Sequence, residues 1–298
     1  MSSMTAIVAS PSTRQRAREA GLDLTALAAE LGRDTISSGD VDDRLRGRRA
    51  ASGDDNSRYW DVDHGQYGPV REEAMSRFSQ VAALNLAAAQ QLIPAVTHHD
   101  RADMTAVEAI RASLRDEAQA KGVKITALAF HVKALARTLR DFPRFNASLS
   151  ADGATLVLKD YVHIGIAVDT PHGLMVPVIR DADRKGLWRI AMEVADLAAR
   201  AQQRKVGAGE MGGASMSISN LGGIGGIGFT PIVNPPEVAI LGISRTEMAP
   251  VWNGDAFAPT PMTPLDLSYD HRVVNGADAA RFLVRYINLL ADPRRLIL

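Results

Sequence analysis

A histidine followed by an arginine and, three residues later, by an Asn-Gly pair is the arrangement in this sequence best suited to acid–base chemistry. It lies in the run LSYDHRVVNGADAARFL over residues 267–283 and centres on His271. An imidazole titrates near neutral pH, so it can take a proton from a thiol or a hydroxyl under physiological conditions. His271 is therefore the first catalytic candidate. The alternative is a histidine that only satisfies a local hydrogen bond.

The glycine-rich run over residues 215–244, SMSISNLGGIGGIGFTPIVNPPEVAILGIS, is the second segment that could carry chemistry. Gly223, Gly225 and Gly228 satisfy the G-x-G-x-x-G pattern of dinucleotide sites, and Glu247 lies near the position of a ribose-binding acid. That pattern works only when the last glycine opens a helix, and three prolines follow here instead. The glycines more simply predict a tight turn that passes close to neighbouring backbone.

His98, His99 and Asp100 are adjacent and could suggest a metal site. Adjacent residues on a strand point to opposite faces, and no second cluster offers ligands at metal-binding spacing. We therefore expect no metal and interpret the segment as a surface or interface strand. His131 and His163 lie in helix and strand patterns without an acidic or nucleophilic neighbour, which predicts structural roles for both.

The elements that must position these residues form a mixture of helices and strands. Helices are predicted over residues 105–121, with Thr105 as cap, Glu108 as its capping-box partner and Gly122 as stop, and over residues 126–140. A further helical stripe runs from Leu187 to Ala201, and a last helix ends before Asp292-Pro293. Strand patterns are TLVLK, VHIGIAV, GLMVPVI, SMSIS and VAILGI. This mixture predicts an α/β sandwich, a sheet with helices packed on one side.

The first 46 residues form a separate pattern. Ser10-Pro11 begins a short helix that Gly21 ends, and Ser38-Gly39-Asp40 begins a second helix after a loop. A segment this small is marginal as an isolated fold. The polar residues after it, rich in Gly and Ser, are typical of a flexible linker. We predict a helical domain over residues 7–46, a linker over residues 47–58 and a large domain over residues 59–298.

Composition excludes several classes of function. Of the 298 residues, 46% are hydrophobic, which suffices for a sizeable core, and the equal numbers of basic and acidic residues, 34 each, argue against nucleic acid or a membrane surface as partner. The absence of cysteine excludes disulfides, thiolate metal sites and a cysteine nucleophile. The first residues lack the apolar core of a secretory signal, and no stretch is long and apolar enough to span a bilayer. We expect a soluble, cytoplasmic protein.

The two segments together resemble the signatures of the dihydrolipoamide acyltransferases, the E2 cores of 2-oxo acid dehydrogenase complexes. The histidine run resembles their His-x-x-x-Asp-Gly motif, and the glycine-rich run precedes it at the family's spacing. The similarity covers roughly residues 60–298 and includes the segments IPAVTHHDRADMT and HIGIAVDTPHGLMVPVIRDADRKGL. It implies a core with the chloramphenicol acetyltransferase-like fold, and WDVDHGQYGPV would be its lead-in strand.

This resemblance implies a role for four residues. His271 would remove the proton from the thiol of coenzyme A, and Ser219 would hydrogen-bond the oxyanion of the tetrahedral intermediate. Asn275 stands where most of the family has aspartate, so it would orient neighbouring groups, paired with Arg77 as a polar strut. Ser219 is not expected to be a nucleophile, because no G-x-S-x-G elbow surrounds it. A strand hydroxyl with a local partner is its alternative.

The resemblance also implies partners. The family's active site lies between the subunits of a trimer, and the apolar ending Leu296, Ile297 and Leu298 resembles the tail that joins trimers into larger hollow cores. Residues 7–46 resemble the peripheral subunit-binding domain that docks the E1 and E3 enzymes. The match is incomplete: Gly32 stands alone where the family has a glycine-rich loop, Thr35 replaces an arginine, and Arg16 occupies a usually apolar position. Partner choice therefore stays open.

The chain contains no Asp-Lys-Ala tripeptide for lipoylation. The lipoyl group would thus come from a separate lipoyl-bearing protein, or the chain has been shortened. The implied reaction is transfer of an acyl group between a dihydrolipoyl thioester and coenzyme A. The segment GGIGGIGFTPIVNPPEVAILGIS resembles the pyruvate-type members of the family, so we expect the acyl group to be acetyl. Two alternatives remain open: a non-catalytic scaffold that docks E1 or E3, and a free-standing transferase dependent on coenzyme A.

Overall fold

A computed structural model describes residues 7–42, 44 and 62–297. The chain divides into two compact units, Met1–Ala74 and Met75–Leu298. The predicted linker over residues 47–58 lies outside the described residues, as do residues 45 and 46 at the end of the predicted binding domain. The boundaries of the three predicted domains therefore remain predictions.

The first unit is built around one short parallel strand pair and small helices. Its elements are β1 (Val8–Ala9), α1 (Pro11–Glu19), α2 (Leu24–Leu31) and β2 (Thr35–Ile36), followed by helical residues 38–42. We expected a loop between the two predicted helices. The structure instead places helix α2 in this region. The side chain of Asp23 accepts a hydrogen bond from the backbone N–H of Thr25 at 2.7 Å and so caps this helix. The buried cluster of this unit comprises Ala17, Leu27, Ile36 and Val41.

The expected lead-in strand is not formed by the described part of its segment. Residues 62 and 63 are irregular, and His64–Tyr67 forms a 3-10 helix capped by the side chain of Asp63. The Asp63 carboxylate accepts the backbone N–H of Gly65 at 3.0 Å, which favours a turn over an extended chain.

The second unit contains a seven-stranded mixed sheet. Its strands are β3 (Ala95–Asp103), β6 (Ile164–Ala167), β7 (Val178–Ile179), β8 (Met216–Asn220), β9 (Ala239–Ile243), β10 (Glu247–Trp252) and β11 (Phe257–Asp270). They are ordered β10-β11-β9-β8-β6-β7, and β3 also pairs with β11. A separate hairpin pairs β4 (Ala147–Leu149) with β5 (Leu156–Leu158). In the second half of the long strand β11, residues 265–269 pair with both β9 and β3, which places them in the interior of the sheet.

Helices supply the other layer. They are α3 (Arg77–Leu92), α4 (Thr105–Ser113), α5 (Arg115–Ala120), α6 (Ala127–Asp141), α7 (Leu187–Gln202), α8 (Gly276–Ala291) and α9 (Arg294–Ile297). One face of the sheet shares the main hydrophobic core with α6, α7 and α8, and it contributes alternate residues of each strand, among them Ile218, Leu241, Leu265 and Leu267. The predicted α/β sandwich is confirmed.

Two local predictions are wrong. The helix expected over residues 105–121 breaks at Leu114, and Thr105 is its first residue and not its cap. The carboxylate of Asp103 accepts the N–H and the hydroxyl of Thr105 at 2.8 and 2.6 Å. Only Val178–Ile179 of the segment GLMVPVI is a strand. The residues after Asp292 form the short helix α9, and Leu296 is buried in the core of its own chain.

Within the described ranges, no helix has the length and apolar character needed to cross a membrane.

Candidate active site

Ser219 lies near the end of β8, on the face of the sheet opposite the main core. Its register partners are Ala167 on β6 and Gly242 on β9, and Gly242 in turn pairs with Asp266 on β11. Directly paired residues project on the same face, so Ser219 belongs to a row of small and polar positions. Ser219 is half-buried, and its hydroxyl makes no hydrogen bond to any other described residue. The predicted alternative, a strand hydroxyl satisfied by a local partner, is not what the single chain shows.

The glycine-rich segment folds back over this row. The ring of Phe229 lies so close to Gly242 that a Cβ atom there would meet it at 2.9 Å, and the backbone N–H of Phe229 donates to Asp266 Oδ2 at 3.1 Å. The expected close approach of backbone also exists, since a Cβ on Gly222 would lie 3.3 Å from the carbonyl oxygen of Ser244. No described residue of this segment is helical, so it offers no helix N-terminus to a pyrophosphate.

His271 is exposed on the turn that follows β11. Its backbone N–H donates to the carbonyl of Pro94 at 3.1 Å, and its ring tilts against the ring of Tyr269 with centroids 5.7 Å apart. On either side of it, the carboxylate of Asp270 accepts two bonds from the Arg272 guanidinium, from Nε at 3.0 Å and from Nη2 at 2.7 Å. This paired contact closes over the backbone of His271 and fixes the turn.

Two further side chains, those of Arg144 and Asn275, stabilise the same turn. Arg144 donates to the carbonyl of Val273 from Nη2 at 2.8 Å, and the side chains of Val273 and Val274 are buried. Asn275 caps α8, because its Oδ1 accepts the backbone N–H of Asp278 at 2.9 Å. Sequence reasoning missed Asp270 and Arg144 as positioning residues. The acid next to the histidine was a visible signal for the first, whereas nothing in the sequence linked Arg144 to a turn so distant along the chain.

One chain cannot bring Ser219 and His271 together. Ser219 lies two strands away from Asp266 on the same row, and His271 comes five residues after Asp266. Strands spaced about 4.8 Å apart and a rise of about 3.3 Å per residue put the two α-carbons roughly 15 to 20 Å apart. To act on one reacting centre, a general base and an oxyanion donor must each come within about 3 Å of neighbouring atoms of the substrates. A site that uses both residues must therefore take them from two chains.

Comparison with known families decides the assignment. A model of the 2-oxoacid dehydrogenases acyltransferase catalytic domain matches residues 67–298. The chain belongs to this acyltransferase family. It is 48% identical over 299 residues to the dihydrolipoyllysine-residue acetyltransferase component of pyruvate dehydrogenase complex of Pseudomonas aeruginosa, covering 97% of this chain and 55% of that protein. For the Azotobacter vinelandii component the values are 47%, 97% and 47%, so the chain spans about half the length of these curated relatives.

The fold of this acyltransferase chain is also similar to solved structures of acetyltransferase cores. The dihydrolipoamide acetyltransferase of Azotobacter vinelandii, studied for the role of one serine, one histidine and one asparagine in its catalytic mechanism, has a TM-score of 0.78 at 51% identity, covering 80% of this chain and 98% of that one. The cubic core of a pyruvate dehydrogenase multienzyme complex also has a TM-score of 0.78, at 52% identity with the same coverage. The predicted family and fold class are confirmed.

The predicted strut between Arg77 and Asn275 is absent from the single acyltransferase chain. Arg77 is exposed in the first turn of α3 and forms no hydrogen bond or ion pair with any described residue. Asn275 uses its side-chain oxygen to cap α8. The strut remains a prediction. Like a site that combines His271 with Ser219, it would need a neighbouring chain.

A buried carboxyl group, that of Glu237, contacts Ser217, two residues before Ser219 on the same strand. Glu237 accepts a hydrogen bond from the hydroxyl of Ser217 at 2.9 Å, and its other oxygen has no partner among the described residues. Burial raises the pKa of Glu237 to about 7, although the Ser217 hydroxyl and the charge of Lys159 lower it in part. This acid is therefore a neutral or partly ionised group at physiological pH, which no sequence pattern had indicated.

Three of the other histidines have side-chain hydrogen bonds within the chain. His131 is fully buried on α6 with Nδ1 2.5 Å from the hydroxyl of Tyr286, and burial lowers its pKa to about 4. His163 Nδ1 accepts the backbone N–H of Asp181 at 2.9 Å. His99 Nδ1 lies 2.7 Å from Asp266 Oδ1, whereas its neighbour His98 projects to the other face of β3.

Proposed function

We propose that this chain transfers an acetyl group between a dihydrolipoyl thioester and coenzyme A, as the catalytic core of a pyruvate-type E2. The observation that carries the proposal is the pair of prepared groups on the family's fold: an exposed His271 on a rigid turn and a Ser219 hydroxyl without a partner. The named relatives are acetyltransferase components of pyruvate dehydrogenase complex, which supports acetyl as the acyl group.

The arrangement suits direct transfer between two thiols. His271 accepts the proton of the coenzyme A thiol, and the thiolate attacks the thioester carbonyl as the π electrons move to its oxygen. Ser219 donates a hydrogen bond to this oxyanion. Collapse of the intermediate breaks the bond to the dihydrolipoyl sulfur, which receives the proton from His271. Both substrates exchange the acyl group without an acyl-enzyme, and Asn275 and Arg77 act only by orienting the turn and its surroundings.

An assembly of chains is part of the proposal, because the site is incomplete in one chain. Helix α3 supports it: Ala89 is the only buried residue among the sixteen in this element, and several of its large apolar side chains are exposed, with Leu84 at 72%. Contiguous exposed apolar surface of this kind marks an interface. We propose a homotrimer in which Ser219 and His271 of neighbouring chains meet. Further assembly of trimers would use the chain's apolar end.

The remaining partners follow from the same proposal. A lipoyl-bearing protein or domain would present the thioester, and residues 7–46 would dock E1 or E3. The cluster of Ala17, Leu27, Ile36 and Val41 gives that segment a small core of its own. A cytoplasmic location fits the absence of cysteine from the sequence.

The reaction can be tested directly on the purified chain. Incubation with acetyl-CoA and free dihydrolipoamide should yield S-acetyldihydrolipoamide and free coenzyme A, and both products can be separated by chromatography and measured by mass spectrometry. An assembled protein that forms neither product would instead be the docking scaffold. A chain that acetylates small alcohols or thiols but not dihydrolipoamide would be the free-standing transferase. The same assay with succinyl-CoA and isobutyryl-CoA tests the acyl preference.

A further inference from the structure

A large cavity lies on the helical side of the sheet, across from the face that carries Ser219. It has a volume of about 800 Å³ and is formed by helix α6, by the loop that leads into α7 and by the start of α9. Its lining is strongly unbalanced in charge, with six basic side chains and one acidic one: Lys133, Arg137, Arg140, Arg184, Lys185, Arg295 and Asp183. The proposed acetyl transfer uses none of these groups.

Half of this positive charge is already neutralised by neighbouring carboxylates. Arg140 pairs with Asp183, Lys185 pairs with Glu193 at 2.6 Å, and Arg295 pairs with Asp292 at 3.2 Å. Asp183 is the only acid in the lining, and Arg140 occupies one of its oxygens through both Nε and Nη2.

The other three basic side chains have no acidic partner among the described residues. Lys133 donates only to two backbone carbonyls, those of Asp183 at 2.9 Å and Lys185 at 2.7 Å, so one of its three N–H donors is free. Arg137 and Arg184 form no side-chain hydrogen bond or ion pair with the part of the chain that the structure describes. Lys133 and Arg137 are four residues apart on α6, a spacing at which like charges repel.

Burial lowers the pKa of Lys133, and the nearby Arg137 lowers it further, although Asp183 acts in the opposite direction. The positive charges in this cluster therefore repel one another, and an anion bound in the cavity would offset that repulsion.

We propose that this cavity binds a phosphorylated organic anion of nucleotide size, held by Lys133, Arg137 and Arg184. Guanidinium groups match phosphate oxygens with two parallel hydrogen bonds, and a lysine adds a third cationic donor. The cavity is too large for a single phosphate and lies within the range of organic ligand sites. Leu187 and the half-buried ring of Trp188 supply the apolar wall that a base or another flat group would need.

Titration calorimetry of the intact chain with ADP, inorganic pyrophosphate and adenosine tests this site. ADP and pyrophosphate should bind and adenosine should not, because the phosphates make the charged contacts. Arg137→Gln and Arg184→Gln should each weaken ADP binding about tenfold or more, the scale of a lost hydrogen bond between charged groups. Both arginines are exposed and unpaired, so the thermal unfolding midpoint of each variant should stay near that of the parent.

The matched control is Arg189→Gln, which removes one positive charge close to the cavity from a residue that does not line it. It should leave the affinity for ADP within about twofold; an equal loss in this control would reduce the effect to general electrostatic attraction and overturn the site. Arg137→Gln and Arg184→Gln should leave the KM for coenzyme A in the acetyl transfer assay nearly unchanged, because the cavity and Ser219 lie on opposite sides of the sheet. A raised KM would place the two arginines in the coenzyme A site and overturn the proposal, and it would leave the proposed acetyl transfer itself standing.

Discussion

Asp270 and Arg272 close a two-point ion pair over the backbone of His271, with Arg272 Nη2 2.7 Å from Asp270 Oδ2 and Arg272 Nε 3.0 Å from Oδ1. The Asp270 side chain is only 4% exposed, and its Oδ1 also accepts the backbone N–H of Arg272 at 3.0 Å. The buried carboxylate of Asp270 thus accepts hydrogen bonds from three N–H groups of Arg272, and these bonds restrict the conformation of the turn. The imidazole thus starts from a fixed backbone, and preorganisation of this kind lowers the cost of reaching the transition state.

Replacing His271 by alanine should lower acetyl transfer at least about a hundredfold, the scale of a lost general base, while the assembly stays intact. Steady-state rates with acetyl-CoA and dihydrolipoamide, together with light scattering, measure both effects. Asp270→Asn is the informative comparison, because it keeps the imidazole and loosens the turn, so its loss should be smaller. A His271→Ala protein with more than half of the parent turnover would contradict the assigned role.

Ser219→Ala should lower kcat about a hundred- to a thousandfold and leave the KM for coenzyme A nearly unchanged, because its hydroxyl acts on charge that develops only in the transition state. Ser217→Ala is a control on the same strand and the same face, since the hydroxyl of Ser217 is engaged by Glu237. If only KM rose in Ser219→Ala, the residue would bind substrate and the oxyanion role would be wrong.

The separation of Ser219 and His271 in one chain predicts complementation between inactive variants. Chains with His271→Ala still supply the serine, and chains with Ser219→Ala still supply the histidine. Mixed trimers formed by co-expression in equal amounts should recover roughly a quarter of the parent activity, because each heterologous interface draws its two residues from different chains. Separately assembled variants mixed afterwards are the control. No recovery on co-expression would mean that the site does not span two chains.

The buried carboxyl of Glu237 predicts that the stability of the protein falls as pH rises from about 4.5 towards 7. The folded pKa of about 7 exceeds the ordinary 4.5, so the folded state binds a proton that the unfolded state has already released in this window. The cost at and above pH 7 is on the order of 3 kcal/mol relative to a neutral side chain. Glu237→Gln should remove it. Urea unfolding of both proteins at pH 5 and pH 8 measures the difference, which should grow with pH; an equal difference at both values would contradict the assignment.

Removal of Ile297 and Leu298 should reduce a large particle to trimers without loss of the interface that contains His271. The deletion stops short of Leu296, because that side chain is buried in the core of its own chain and its loss would also cost stability. Ile297 and Leu298 are the two large apolar residues of the tail that follow Leu296. Light scattering of the intact and shortened chains is the measurement, and an intact chain no larger than a trimer would remove the basis for the tail contact.

Elements with strong local signals, and residues in recognisable motifs, could be predicted before the fold was known. Helices α6, α7 and α8 follow from apolar residues at helical spacing and from stops such as the Asp292-Pro293 pair, because these signals act within a few residues. The same locality explains one failure: Thr105 is the first helical residue and not the cap, and its N–H and hydroxyl bind the carboxylate of Asp103. His271 and Ser219 were found because their surroundings along the chain resemble the family.

The spatial relation between those residues depends on the folded chain. The register of β8, β9 and β11 placed Ser219 and His271 too far apart for one chain, and strand register depends on pairing between segments distant along the sequence. Asp270 and Arg144 became positioning residues, and Glu237 acquired a raised pKa, only through burial and contacts that folding creates. The basic cavity, too, exists because α6, the loop before α7 and the end of the chain meet, whereas the sequence as a whole carries no net charge.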